Sequence, residues 1–265
     1  MSNNYLKTDY SIVSRGTEKY NNHGYISISE SIQGYRYLQN IDHNVLKSKI
    51  DEFSVKFKDT YMIENIALSR FQLIFEILYL RVKNFIKNNI LIIGFGNLGT
   101  GTLISLLDKG FTTISILVKE KKPYMIEAIN IIKNNYNVNI LIYTYDDINI
   151  VNYNLFIECS GSGQAIETII NECSVLSSLI ILSTPRDNNY GINPLIINRK
   201  NLSIFGGHEF NGIEKQARER LFENILEKNH EKQFIKQFIT IYPFSTEKLN
   251  EIKHNKNNLI ELFKY

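Results

Sequence analysis

Three glycines, Gly94, Gly96 and Gly99, stand in the spacing G-x-G-x-x-G within ILIIGFGNLGTGTLISLLDKG. An apolar run precedes them and a helical pattern follows, and this context gives the spacing its meaning. The first glycine permits a tight turn. The second lets the main chain approach a pyrophosphate with no β-carbon in the way, and the third lets the helix pack close to the strand. The amides of Asn97 and Leu98 then open the helix toward the anion. The expected chemistry is the binding of a dinucleotide; a glycine-rich turn without a ligand is the plainer alternative.

The second strand of such a unit normally ends in an acidic residue, which bonds the ribose hydroxyls and repels a ribose phosphate. Here the strand ends at Val118 and runs into Lys119, Glu120, Lys121 and Lys122. These cations suit a 2′-phosphate, so the expected cofactor is NADPH (NADP) rather than NADH. The competing reading is a solvated charged turn, to which Glu120 contributes. Cys159 and Cys173 sit inside hydrophobic runs, which suits buried thiols and supplies neither a disulfide framework nor a cysteine-rich zinc site. His23, Glu30 and His43 have no metal-ligand spacing.

The elements that must position these residues follow from the alternation of apolar runs and helical patterns after residue 89. The run at 90–93 is apolar throughout, as befits a central parallel strand covered on both faces. A helix over 98–109 follows, stopped by Gly110, then a strand over 112–118, a helix opened by Pro123 and reaching 134, and a strand over 138–143. A short polar link with Asp146 and Asp147 replaces a full helix. Strands at 155–159, 179–183 and 202–205, with a helix over 164–175, make the second half. Upstream, 1–60 mixes short β-like pieces with polar turns, and 65–87 is helical. Downstream, 212–229 is a charged helix, 238–244 is extended and 245–265 is helical. There is no internal repeat.

Composition bounds the rest. The 265 residues suffice for one large domain or two small ones. A formal charge of +3 is too mild to point to nucleic acid or a membrane surface, and no polybasic tract is present. The start MSNNYLKTDYS has neither the basic nor the apolar region of a signal peptide, and no apolar stretch is long enough to span a bilayer. The expectation is a soluble protein of the cytoplasm.

The order of these segments resembles the medium-chain dehydrogenase/reductase family, the relatives of zinc alcohol dehydrogenases and quinone reductases. ENIALSRFQLIFEILYLRVKNFIKNNILIIGFGNLG is similar to that family's helix leading into the nucleotide-binding strand. FIECSGSGQAIETII resembles its fourth strand and following helix, NRKNLSIFGGHEF its sixth strand, and FITIYPFSTEKLNEI its closing segment. YSIVSRGTEKY resembles an S-x-G-T-E element that some members carry where zinc enzymes place their first catalytic ligand. Ser14 falls near that ligand and cannot act as a thiolate, so no zinc is expected.

The resemblance implies an α/β fold: a Rossmann-type, doubly wound parallel sheet with a truncated, partly β N-terminal segment. The implied divisions are 1–63 as a reduced catalytic segment, 64–229 as the dinucleotide-binding domain and 230–265 as an extension packing back toward the N-terminal segment. It also implies hydride transfer from the nicotinamide to a C=O, C=N or activated C=C of a small or carrier-bound biosynthetic intermediate. Ser14 and Thr17 are then candidates to orient a carbonyl oxygen, and His43 to supply a proton. Strand ends should bring Ser160, Gly161, Ser183, Thr184 and Gly206 to the cofactor, with Gly207 and His208 following. Related proteins commonly join sheet edges, which implies a homodimer. The second hypothesis is a noncatalytic nucleotide-binding sensor or partner subunit. A third, use of S-adenosylmethionine, fits the C-terminal segments less well.

Overall fold

A computed structural model describes residues 5–13, 26–39, 47–86, 89–185, 191–208, 212–254 and 257–265. In chain order its strands and helices begin with β1 (Tyr5–Ile12), β2 (Ile26–Ser29), β3 (Tyr35–Gln39), β4 (Lys47–Lys49), β5 (Val55–Lys58) and α1 (Ile63–Val82). Next come β6 (Ile90–Ile93), α2 (Asn97–Asp108), β7 (Thr113–Leu117), α3 (Pro123–Tyr136) and β8 (Asn139–Tyr143). They are followed by β9 (Leu155–Glu158), α4 (Gly163–Glu172), β10 (Ser178–Ile181), α5 (Pro194–Lys200) and β11 (Ser203–Gly206). The chain closes with α6 (Lys215–His230), β12 (Ile239–Pro243), α7 (Thr246–His254) and β13 (Ile260–Lys264). These elements form two compact units, one from Met1–Arg70 with Gly212–Tyr265 and one from Phe71–Asn211, so the division falls within α1.

The second unit holds a parallel sheet in the order β11-β10-β9-β6-β7-β8. The strand order reverses between β6 and β9, and ligands of open α/β sheets bind in the crevice at the carboxyl ends on either side of such a point. All four residues of β6 are buried, because helices cover both faces of a central parallel strand. Its end is tied on both flanks: Gly94 N donates to Leu117 O at 2.8 Å and Cys159 N donates to Ile93 O at 2.8 Å. One face packs Leu91, Ile93, Leu117 and Phe156 against Ile166 and Ile169 of α4. Fully burying each such side chain contributes roughly 1.5–3 kcal/mol. Gly101 in α2 faces α1, where a β-carbon would come within 2.7 Å of the Phe71 backbone. A 3-10 turn, Ile150–Asn152, takes the place of a helix between β8 and β9.

The first unit holds a mixed seven-stranded sheet in the order β12-β13-β1-β2-β3-β5, with β4 also paired to β1. β13 lies antiparallel to β1, with Tyr10 opposite Lys264, and parallel to β12. The helix α6 covers β5: Phe222 meets Phe57 edge to face at 5.5 Å, and Glu219 and Glu223 accept from Lys56 N and Lys58 N.

Three features differ from the sequence reading. Residues 260–264 form a strand rather than a continuation of α7. Four of those five, Glu261 included, are buried, so the run lacks the in-out alternation of a half-exposed strand and its periodicity does not separate strand from helix. Residues 215–230 belong to the first unit rather than to the parallel-sheet domain, because Phe222 and its neighbouring carboxylates meet β5. The helix α5 was not foreseen, although Asn193 caps it by accepting from Leu195 N at 2.9 Å and Pro194 opens it.

Candidate functional site

The glycine turn joins β6 to α2. Gly94 has φ +92°, and a β-carbon there would lie 2.9 Å from Ser160 Cβ, so conformation and packing both require glycine. At Gly99 a β-carbon would fall 2.1 Å from Gly94 O, which is why the helix can start so close to the strand. Gly96 differs from both. Its φ of −100° and ψ of −157° are open to any residue, and a β-carbon would meet nothing within 4 Å. Nothing within the described protein demands glycine at 96, and the space in front of it is open. No side chain caps α2 and its first turn carries no acid, leaving the positive end of the helix directed at that space.

Across the crevice the ends of β9 and β10 are organised by Glu158, which is 0 % exposed. Its Oε1 accepts from Ser160 N at 2.6 Å, Ser160 Oγ at 2.5 Å and Gly161 N at 2.9 Å. Its Oε2 accepts from Ser183 Oγ. Ser160 Oγ in turn accepts from Ser162 N, and Ser162 Oγ caps α4 by accepting from Ala165 N, each at 3.2 Å. A β-carbon on Gly161 would come within 3.1 Å of Thr184 O. One carboxylate therefore gathers Ser160, Gly161 and Ser183, with Thr184 alongside. Gly207 N donates to Ile181 O at 2.9 Å, which carries the end of β11 beside that of β10; Gly206 and His208 are exposed there.

Glu158 lies inside FIECSGSG and went unassigned by sequence reasoning. Its signal was a single acid in an otherwise apolar strand. Tyr145 was also missed; burial, and then the charge of Glu158, push its phenol up. Cys159 is unsuited to be a nucleophile. Burial pushes its thiol up, the charge of Glu158 adds to this, and Thr102 Oγ1 lies 3.6 Å from its sulfur.

At the end of β7, Val118 is buried and its N–H donates to Tyr143 O at 2.9 Å. Lys119 is exposed and without an ion pair among the described residues. Lys121 pairs with Asp147, whose carboxyl it holds below the usual range, and Lys122 lies 3.5 Å from Glu120. The basic run is thus partly neutralised, and Lys119 offers the unmatched charge. Ser14, Thr17 and His43 lie outside the described residues, as does His23. Among the described residues no group of three or more His, Cys, Asp or Glu could hold a metal ion, and no helix is long and apolar enough to cross a membrane.

No protein-family model and no curated protein matches the sequence. Solved structures do match. The yhdH oxidoreductase of Salmonella enterica in complex with NADP superimposes with a TM-score of 0.73 at 11% identity, over 98% of this chain and 90% of that one. Galactitol-1-phosphate dehydrogenase of Escherichia coli gives 0.74 at 10% identity, over 100% of this chain and 94% of that one. TarJ of S. aureus in complex with NADPH gives 0.66 at 15% identity, over 98% and 90%. The fold is shared with these dehydrogenases and oxidoreductases. At such identities that is what the likeness establishes, and the chemistry must be argued from the site.

Proposed function

We propose that this protein is an NADP(H)-dependent, zinc-independent oxidoreductase that passes hydride to a C=O, C=N or activated C=C of a small or carrier-bound intermediate. The observation that carries the reading is Gly96, a glycine required by neither backbone nor packing, set between Gly94, which both require, and Gly99, which packing requires. A pyrophosphate held by the amides at the start of α2 accounts for it. The NADP and NADPH complexes of the Salmonella and S. aureus neighbours support the choice of ligand.

In this reading Gly94, Gly96, Asn97, Leu98 and Gly99 hold the diphosphate. Val118 and Lys119 meet the adenosine ribose and its 2′-phosphate, with Lys121 available on exchange of Asp147. Ser160, Gly161, Ser183, Thr184 and Gly206 line the half of the crevice over β9, β10 and β11. The nicotinamide, when bound, supplies the hydride. Ser14, Thr17 and His43 are proposed to orient the acceptor and return the proton. Ser14 offers no thiolate, which supports chemistry without zinc. A homodimer through the β11 edge and a cytoplasmic location complete the proposal; among the described residues β11 is the terminal strand of its sheet, with one edge unpaired.

The test is titration of the protein with NADPH and NADH, followed by nicotinamide fluorescence, in the parent and in Gly96→Val. Valine accepts the extended backbone at 96, so the variant stays folded while its branches fill the cradle. The expected result is selective NADPH binding, weakened by roughly a hundredfold or more in the variant. A parent that binds neither nucleotide removes the proposal. Binding without turnover of any carbonyl, imine or enone acceptor would favour a sensor.

A further inference from the structure

Glu158 is the last residue of β9 and stands at the point where the strand order reverses, opposite Ile93 on one side and Ile181 on the other. It is fully buried, yet its four partners, Ser160 N, Ser160 Oγ, Gly161 N and Ser183 Oγ, are all neutral donors. Among the described residues no cation pairs with it. A group that only accepts, from two amides and two hydroxyls, is playing the part of an ionised carboxylate. Holding a buried charge without a counter-ion is costly. A neutral acceptor such as the Gln side-chain carbonyl could tie down the same loop at lower cost. The arrangement therefore points to a use for the charge itself, beyond the shape it imposes.

The position says what that use is. A dinucleotide lies across the crevice with its pyrophosphate at the start of α2, one half over β7 and β8 and the other over β9 to β11. We propose that Glu158 is an electrostatic positioning residue for the redox half of the cofactor. Its negative charge favours the cationic oxidised nicotinamide over the neutral reduced ring and so makes bound NADPH a stronger hydride donor. This rests on the dinucleotide reading above. Tyr145, whose phenol is pushed up by burial and then by the charge of Glu158, is within reach of the same carboxylate. The low dielectric around a fully buried group lets its field extend further than it would in water.

The experiment measures dissociation constants of NADP+ and NADPH separately, by calorimetry, for the parent, Glu158→Gln and Ser183→Ala. In Glu158→Gln the ratio Kd(NADP+)/Kd(NADPH) rises by roughly three- to thirtyfold, the size expected for one charge several ångströms away at intermediate dielectric. Ser183→Ala removes a hydrogen bond and keeps the charge, so its ratio stays within about twofold of the parent. Equal weakening of both ligands in Glu158→Gln, or the same ratio change in both variants, overturns the proposal and leaves a purely structural role. The parent alone supplies a second measurement should Glu158→Gln not fold. It binds NADP+ at least as tightly as NADPH, and a preference for NADPH overturns the proposal. A parent that binds neither ligand overturns the dinucleotide reading as well, which separates the two failures.

Discussion

Gly96 and Gly99 are three residues apart and identical in type, yet they answer to different constraints, and stability measurements separate them. At Gly99 an added methyl group must displace the Gly94 carbonyl, a backbone atom that cannot swing aside. Gly99→Ala is expected to lose about 3 kcal/mol of unfolding free energy, at the upper end for overpacking. Gly96→Ala meets open space and is expected to stay within about 1 kcal/mol, the scale of an N-cap change. Urea unfolding of both variants checks the pair. Comparable losses would mean that 96 is also a packing position and that its glycine says nothing about a ligand. The glycine turn was legible in the sequence because strand, turn and helix are set by neighbours in the chain. Glu158 was not, because the donors that give it meaning include Ser183, brought to it only by the pairing of β10 with β9. Asp147 was likewise illegible as the partner of Lys121, since the ion pair joins turns at the ends of different strands.

The helix α6 is attached to β5 by polar contacts as well as by Phe222. Tyr61, just ahead of α1, donates to Glu223 Oε2 at 3.0 Å. Burial pushes its phenol from 10.0 up to about 12, with the Glu223 hydrogen bond and charge acting in the same direction. The folded state therefore prefers the neutral phenol. Its contribution is complete below pH 10 and is lost as pH climbs to about 12, because the unfolded chain releases the proton first. Tyr61→Phe is expected to flatten this part of the stability profile, which urea midpoints across the interval measure. An unchanged slope would mean that the contact with Glu223 does not persist in solution. Element boundaries within the parallel sheet were legible to within a few residues, because apolar runs and helical patterns alternate there. β13 was not, since a strand buried between two neighbours shows no in-out alternation, and one of the two partners that make it a strand, β1, lies at the other end of the chain.

Over the whole molecule, the second unit is continuous in sequence, 71–211, whereas the first is assembled from both ends of the chain. The front of the chain, which the family resemblance makes a reduced segment, has its sheet completed by β12 and β13. Contacts between distant residues form slowly because a long loop must close first. Pulse-labelled hydrogen exchange during refolding is expected to protect the amides of β6, β7 and β9 before those of β1 and β13. Simultaneous protection of all five strands would contradict that order.

The pairing of Tyr10 with Lys264 also has a consequence for synthesis in the cell. As the polypeptide leaves the ribosome, the parallel sheet already has all its strands while the first unit's sheet still lacks the one that separates β12 from β1. The exposed edge of β1 must wait until β13 has been made, and over that interval the nascent chain is most open to chaperones and to misjoining with a neighbour.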